Sequence, residues 1–131
     1  MSFPKVLVVD DDDAIRQLVA AILGREHCYD VHTASGGIEA LSKMALTKYD
    51  VVVLDLMMPV VSGVDVLEAI ALRDPRHKCV VLMSAASPVD VATSLTPNVC
   101  ITLRKPFDID AVVHAVKECV LSSCGPVFRA A

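Results

Sequence analysis

Short runs of apolar, largely β-branched residues alternate along this chain with segments whose apolar residues recur at helical spacing. The runs predict five strands, at residues 5–9, 29–34, 51–54, 79–83 and 100–103. Because the first, third and fourth runs are almost continuously apolar, they are typical of parallel strands covered on both faces. The order of elements therefore predicts an α/β protein of (βα)₅ arrangement, with helices on both sides of a parallel five-stranded sheet.

The segments between and after these runs predict five helices. Apolar residues recur at helical spacing over residues 15–23 and again over residues 109–120. Two more helices follow glycine-containing turns, at Gly36-Gly37 and at Gly63. A short helix of about two turns is predicted within residues 87–97, which open with a capping box and end in a proline.

Composition excludes several classes of function. The length of 131 residues suits one domain, since domains typically hold about 100–200 residues. A net charge of −4 disfavours direct nucleic-acid binding through a basic face. No apolar run approaches the ~18 residues of a membrane span, and no signal peptide is evident. The 5 cysteines contain no C-x-x-C pair, so they suit neither a disulfide framework nor a zinc site. We therefore expect a cytoplasmic protein with reduced thiols.

Polar residues stand where the predicted strands end. Asp10 and Asp11 follow the first strand, Asp55 follows the third, Ser84 follows the fourth, and Lys105 lies just beyond the fifth. In an open parallel α/β sheet, the C-terminal ends of the strands lie along one edge, and ligands bind there. We expect these side chains to meet at that edge.

Carboxylates brought close together repel each other unless a cation intervenes, and their oxygens are ligands that Mg²⁺ prefers. The sequence therefore predicts a Mg²⁺ site. If a phosphoryl group arrives there, Lys105 can neutralise its oxygens, Ser84 can donate a hydrogen bond, and a carboxylate can attack phosphorus in line. Asp55 is the predicted nucleophile because it stands alone on the central strand, whereas the adjacent Asp10 and Asp11 suit metal binding.

At this point the sequence resembles the receiver domain of bacterial two-component response regulators, over residues 4–121. The acidic pair of that family matches Asp10 and Asp11, and its phospho-acceptor loop matches D-L-M-M-P-V-V-S-G, from Asp55 to Gly63. Its Ser/Thr position matches Ser84, and its Lys-Pro-Phe motif begins at Lys105. Each motif alone is weak, but their order and their positions at strand ends make the set specific.

The resemblance implies a flavodoxin-like, doubly wound sandwich with strand order 2-1-3-4-5, formed by residues 1–121, with residues 122–131 as a loose tail. It implies that Asp55 accepts a phosphoryl group from a phosphohistidine of a sensor histidine kinase or histidine phosphotransfer protein. The chain would then change conformation to control an output protein or effector domain of unknown identity. The resemblance also implies that a second copy of the chain could bind on phosphorylation to form a homodimer. It further implies that the chain is a signalling domain rather than an enzyme.

The resemblance also implies roles for individual residues. Asp11, Asp55 and the Met57 backbone carbonyl would bind Mg²⁺, with Asp10 acting largely through water. Lys105 would pair with the phosphoryl oxygens, and the peptide bond from Lys105 to Pro106 is expected to be cis, an isomer that is accessible at low cost only before proline.

The sequence departs from the family pattern at the switch. Receivers commonly carry an aromatic residue three positions before the lysine, where this chain has Thr102. We therefore expect the signal to leave through the segment from Ser84 to Pro88 and the helix that follows it. The positions that flank the path of hydrolytic water are Met57 and Ala86, and neither side chain can orient water by hydrogen bonding. Self-dephosphorylation is therefore expected to be slow, over hours.

Two other functions fit parts of the pattern. A haloacid-dehalogenase-like Mg²⁺ phosphatase would use Asp10-x-Asp12, but Asp55 would then be idle and an acidic pair at a later strand end would be lacking. A pseudo-receiver would bind a protein partner without phosphorylation, which the intact acids and lysine argue against. Asp12 and Asp13 are more simply interpreted as the N-cap and first-turn acid of the first helix.

Overall fold

The computed structural model describes residues 3–26, 28–73, 79–85 and 99–123. The strands are β1 (Lys5–Val9), β2 (Asp30–Ala34), β3 (Val51–Asp55), β4 (Val80–Ser84) and β5 (Val99–Arg104). The helices are α1 (Asp13–Gly24), α2 (Gly37–Leu46), α3 (Gly63–Arg73) and α4 (Ile109–Ser123). The short helix predicted within residues 87–97 lies outside the described residues. No described helix is long and apolar enough to cross a membrane.

The five strands form one sheet in the order β2-β1-β3-β4-β5, and every neighbouring pair is parallel. This confirms the predicted α/β class and strand order. Strand bounds agree with the sequence pattern to within one residue, and β3 and β4 each continue one residue further than predicted. Asp55 and Ser84 are therefore the last residues of their strands. Helix α4 continues to Ser123, two residues past the predicted end of the domain at residue 121.

Successive strand residues alternate between two apolar layers, one on each face of the sheet. In β1, Val6 and Val8 contribute to the layer that also contains α1 and α4 residues, whereas Leu7 and Val9 contribute to the layer that contains α2 and α3 residues. Burying a valine or leucine side chain fully contributes about 1.5–3 kcal/mol. The sheet is thus packed between two helical layers, and this packing fixes the positions of the polar residues at its C-terminal edge.

The start of α1 follows from the acidic run. Asp12 is the N-cap residue, and its Oδ1 accepts hydrogen bonds from the backbone N–H groups of Ala14 at 2.9 Å and Ile15 at 3.2 Å. Asp13 lies in the first turn and pairs with Arg16. The predicted capping roles of Asp12 and Asp13 are confirmed. Asp12 therefore has a structural role at the start of α1.

Candidate functional site

The C-terminal edge of the sheet carries polar side chains that the interior would normally exclude. Asp10, Asp55 and Ser84 are 0%, 3% and 1% exposed. Burying a polar group carries a free-energy cost unless it finds partners, and a buried charge costs more. Strand β3 lies between β1 and β4, so Asp55 ends the strand between the one that leads into Asp10 and the one that ends at Ser84, and its register partner on β4 is Met83.

Three carboxylates converge at this edge. One oxygen from each of Asp10, Asp11 and Asp55 lies within 4.8 Å of the others. The Oδ1 atom of Asp10 accepts a hydrogen bond of 2.9 Å from the backbone N–H of Asp12, whereas Asp11 is exposed. The structure therefore brings the predicted acids together, two of them buried and one open to solvent.

Lys105 faces these acids from the end of β5. Its Nζ lies 3.0 Å from Asp10 Oδ2 and 3.3 Å from Asp55 Oδ1. The backbone N–H of Lys105 donates to the Ser84 carbonyl oxygen at 2.8 Å, which fixes the start of this side chain against the end of β4. The peptide bond between Lys105 and Pro106 is cis, as predicted.

The electrostatics of the site reflect crowded negative charge. Burial, followed by repulsion from the Asp10 carboxylate, raises the pKa of Asp55 from 3.8 to about 6, although Lys105 and a backbone hydrogen bond from Met57 oppose the rise. Burial alone would lower the pKa of Lys105. The hydrogen bond to Asp10 and the charges of Asp55 and Asp10 outweigh it, so the pKa of Lys105 is raised. Three acids facing one ammonium therefore leave an excess of negative charge at this edge.

This donor set fits a divalent cation. All the converging side-chain ligands are carboxylate oxygens, which suits a hard ion such as Mg²⁺ rather than zinc or copper. Asp10 and Asp55 are both buried beside the lysine ammonium, and Asp55 differs in that it ends β3, the central strand of the sheet. A carboxylate placed this way can act as a nucleophile toward an electrophilic phosphorus.

The remaining predicted residues lie around this centre. The side chain of Met57 is 64% exposed, and its backbone makes a hydrogen bond to Asp55. Thr102 is exposed and pairs in register with Leu82, two residues before Ser84. Pro106 is exposed directly after Lys105. Ala86 lies outside the described residues.

Two contacts at the site were not predicted from the sequence, one made by Arg16 and one by Gly63, which was predicted only as part of the acceptor loop and of the turn before a helix. Arg16 on α1 donates from Nη1 to the Asp10 backbone carbonyl at 2.9 Å, so it helps to hold the backbone at Asp10, between β1 and α1. Gly63 lies so close to the acceptor that an added Cβ would be 2.4 Å from the Asp55 carbonyl oxygen. Helical spacing from the N-cap could have placed Arg16 near the strand end, but a glycine's close contact has no sequence signal beyond the residue itself.

Comparisons with known proteins agree with the geometry. A family model described as the response regulator receiver domain matches residues 6–117. Sporulation initiation phosphotransferase F of Bacillus subtilis is 31% identical over 115 residues, which cover 87% of this chain and 91% of that protein. Transcriptional regulatory protein PrrA of Mycobacterium leprae is 37% identical over 118 residues, which cover 89% of this chain and 50% of that protein. The chain spans about half the length of the transcriptional regulators it matches.

Solved structures give the same result. The receiver domain of the Francisella response regulator 1452 is similar, with a TM-score of 0.81, 32% identity and coverage of 92% of this chain and 98% of that one. The response regulator TrrA of Thermotoga maritima, in complex with Mg(2+)-BeF, has a TM-score of 0.78 and 33% identity, with coverage of 89% and 99%.

Proposed function

Because this chain belongs to the response regulator receiver family, whose model matches residues 6–117, we propose that it accepts a phosphoryl group on Asp55. The donor is a phosphohistidine of a sensor histidine kinase or histidine phosphotransfer protein. The observation that carries the proposal is the buried Asp55 carboxylate with two acids within 4.8 Å and the Lys105 ammonium 3.3 Å away. Residues 1–121 form the receiver domain in this proposal.

The residues of the chain have separate roles in the transfer. A carboxylate oxygen of Asp55 bonds to phosphorus as the bond between phosphorus and the donor's imidazole nitrogen breaks, and the electron pair of that bond returns to the imidazole, which takes up a proton. Lys105 pairs with the oxygens of the transferred group, because its ammonium already lies beside Asp55. Ser84, buried at the end of the neighbouring strand, supplies a hydroxyl to the same oxygens.

Mg²⁺ is the cofactor that we propose, held by Asp11, Asp55 and the Met57 backbone carbonyl, and it would neutralise charge on the transferring oxygens. Asp10 is assigned to an indirect, water-mediated role. Both of its oxygens already have protein partners, since Oδ1 accepts from the Asp12 amide and Oδ2 pairs with Lys105. This division also agrees with the exposure of Asp11, which leaves its carboxylate accessible to an incoming ion.

The chain is proposed to act through partners rather than on a diffusible substrate. The family is a signalling family, and phosphorylation would change the affinity for an output protein or effector domain, or for a second copy of the chain. We place the reaction in the cytoplasm, a reducing compartment. No disulfide joins the described cysteines, Cys28, Cys79, Cys100 and Cys119, to one another, which agrees with such a compartment. Signal exit through residues 84–88 stays a prediction, since residues 86–98 lie outside the described part of the chain.

Intact-mass spectrometry tests the proposal directly. The purified chain is incubated with acetyl phosphate and Mg²⁺, and we expect a single added phosphoryl group that is lost when Mg²⁺ is chelated beforehand. Asp55→Asn should remain unmodified. Asp110→Asn, which removes an exposed acid on α4, should be modified as fully as the unaltered chain. Modification of the Asp55 variant, or none of the unaltered chain, would refute the assignment.

A further inference from the structure

The loop that joins the acceptor to the next helix has a constrained backbone. This β3–α3 loop, residues 56–62, runs from Asp55 to Gly63 and includes Met57. Val60 has a φ of 67°, a left-handed conformation that a β-branched residue rarely adopts. The side chain of Val60 is 90% exposed, so its own packing does not hold this conformation. Neighbouring parts of the fold must therefore hold it.

The two ends of the loop are held in different ways. At its start, the Leu56 N–H donates to the Met83 carbonyl at 2.9 Å, and the Gly63 N–H donates to the Leu56 carbonyl at 2.8 Å. An added Cβ on Gly63 would lie 2.6 Å from Leu56 Cα, so α3 begins directly against the acceptor's backbone. These contacts fix Leu56 and Gly63, which lie four residues before and three residues after Val60.

The far part of the loop is held by α3 and by α2. Asp65 on α3 accepts hydrogen bonds from the Ser62 backbone N–H at 3.0 Å and from the Ser62 hydroxyl at 3.2 Å. Gly37, the first residue of α2, lies so close to Val61 that an added Cβ would be 2.5 Å from Val61 Cγ1 and 2.6 Å from the Val61 carbonyl oxygen. None of the described glycines has a positive φ, so Gly37 is needed for space rather than for backbone conformation. The adjacent Gly36 differs sharply, because an added Cβ there meets nothing within 4 Å.

We propose that Gly37 is a positioning residue for phosphoryl transfer: its contact with Val61 holds the β3–α3 loop in the conformation that places the Met57 backbone at the acidic site. The contact fixes Val61, and Val61 in turn fixes the left-handed Val60 that precedes it. This inference rests on the proposed function, because it assigns Met57 to the Mg²⁺ site. It extends that function by making the start of α2, on a different βα unit, part of what sets metal affinity.

The experiment compares Gly37→Ala with Gly36→Ala. The two substitutions add the same methyl group at neighbouring positions, and only the first meets Val61. Mg²⁺ affinity is measured by calorimetry, the loop by the amide NMR signals of residues 57–61, and phosphorylation by acetyl phosphate labelling. We expect Gly37→Ala to weaken Mg²⁺ binding about 10–100-fold, the range for residues that orient metal ligands. It should shift the loop signals and slow labelling, while Gly36→Ala stays within about twofold of the unaltered chain.

Several results separate positioning from general destabilisation. If Gly37→Ala only lowers the unfolding midpoint, with Mg²⁺ affinity and loop signals unchanged in the folded state, the proposal is overturned. Equal losses in both variants would overturn it too, since the start of α2 rather than the Val61 contact would then matter. If Gly37→Ala does not fold, Val61→Ala removes the side-chain part of the contact from the other side and should also weaken Mg²⁺ binding. An unchanged affinity would contradict the proposal. If the unaltered chain binds no Mg²⁺, the proposed function fails, whereas the loop signals still decide whether Gly37 sets the loop.

Discussion

Replacing the acceptor with its neutral isostere should stabilise the metal-free protein. Asp55 has a folded-state pKa of about 6 instead of 3.8, because burial and the Asp10 carboxylate disfavour its charge. A shift of this size corresponds to about 3 kcal/mol at ~1.36 kcal/mol per pKa unit. Solvent screening at a site that opens to water reduces the effect to about 1–2 kcal/mol. Asp55→Asn removes the charge and should raise the free energy of unfolding by that amount at pH 8.

The sign of the pH dependence follows from proton binding. Between about pH 4 and pH 6 the folded chain binds more protons at Asp55 than the unfolded chain, so the stability of the unaltered protein falls as pH rises through that window. Above this window the penalty is constant. The advantage of Asp55→Asn should therefore be absent near pH 4, grow toward pH 6 and stay level up to pH 8.

Urea denaturation in the presence of a chelator, at several pH values, measures this difference, and contributions from other titrating groups largely cancel between the two proteins. Asp110→Asn is the charge-matched control and should show no such pH-dependent gain. Adding Mg²⁺ should reverse the order by stabilising the unaltered chain more than the variant. If Asp55→Asn is no more stable than the unaltered chain at pH 8, or if its advantage is the same at pH 4, then burial and the Asp10 carboxylate do not destabilise the charged form of Asp55.

Three further substitutions test other parts of the structure. Lys105→Ala removes the cation that faces Asp10 and Asp55, so it should destabilise the metal-free chain at pH 8 by about 2–4 kcal/mol. It should also tighten Mg²⁺ binding measured by calorimetry, and a weaker affinity would contradict this expectation. Val60→Asn places a residue that tolerates φ of 67° at an exposed position, so it should stabilise the chain by about 1 kcal/mol, as measured by urea denaturation. A loss of stability would show that the valine side chain contributes packing. Met57→Asn places beside the acceptor a side chain that can orient water, so it should shorten the aspartyl-phosphate lifetime, which we expect to be hours in the unaltered chain. The lifetime is measured by loss of label, and an equal lifetime would show that this position does not limit hydrolysis.

The sequence allowed most of the fold to be predicted because the two periodicities are unmixed. Apolar pairs such as Val52-Val53 belong to strands covered on both faces, and the helical spacing that begins at Ile15 continues without interruption. Several strand bounds differ from the prediction by one residue, among them the ends at Asp55 and Ser84, where polar residues interrupt the apolar pattern although the backbone stays extended. Polarity marks the end of the buried surface, not the end of the hydrogen-bonded ladder.

The chemistry of the site could be predicted, but the support around it could not. Asp10, Asp55 and Lys105 lie at one edge of the sheet because parallel strands end there, which is a property of topology. The left-handed Val60 and the contact between Gly37 and Val61 depend on how loops from different βα units approach each other. Valine is a poor indicator of a positive φ, and Gly36-Gly37 reads only as a turn, so one-dimensional patterns could not distinguish the glycine that needs its space from the one that does not.

An irregularity in β5 decides which face of the sheet Lys105 occupies. Val80 pairs with Val99, but Val81 pairs with Ile101, so β5 contains one extra residue at Cys100. Val99 packs on the α2–α3 layer, whereas Cys100 and Ile101 both pack on the α1–α4 layer, and alternation then resumes through Leu103.

The extra residue sets the face of the sheet on which Lys105 lies. Lys105 stands two positions after Leu103, just as Asp10 and Asp55 stand two positions after Val8 and Val53, and all three preceding residues belong to the α1–α4 layer. Since a one-residue slip exchanges the two faces of a strand, a regular β5 would direct Lys105 away from the acids. The apolar alternation of Val99, Ile101 and Leu103 suggests just such a regular strand. The bulge is therefore a determinant of the site as much as the lysine itself.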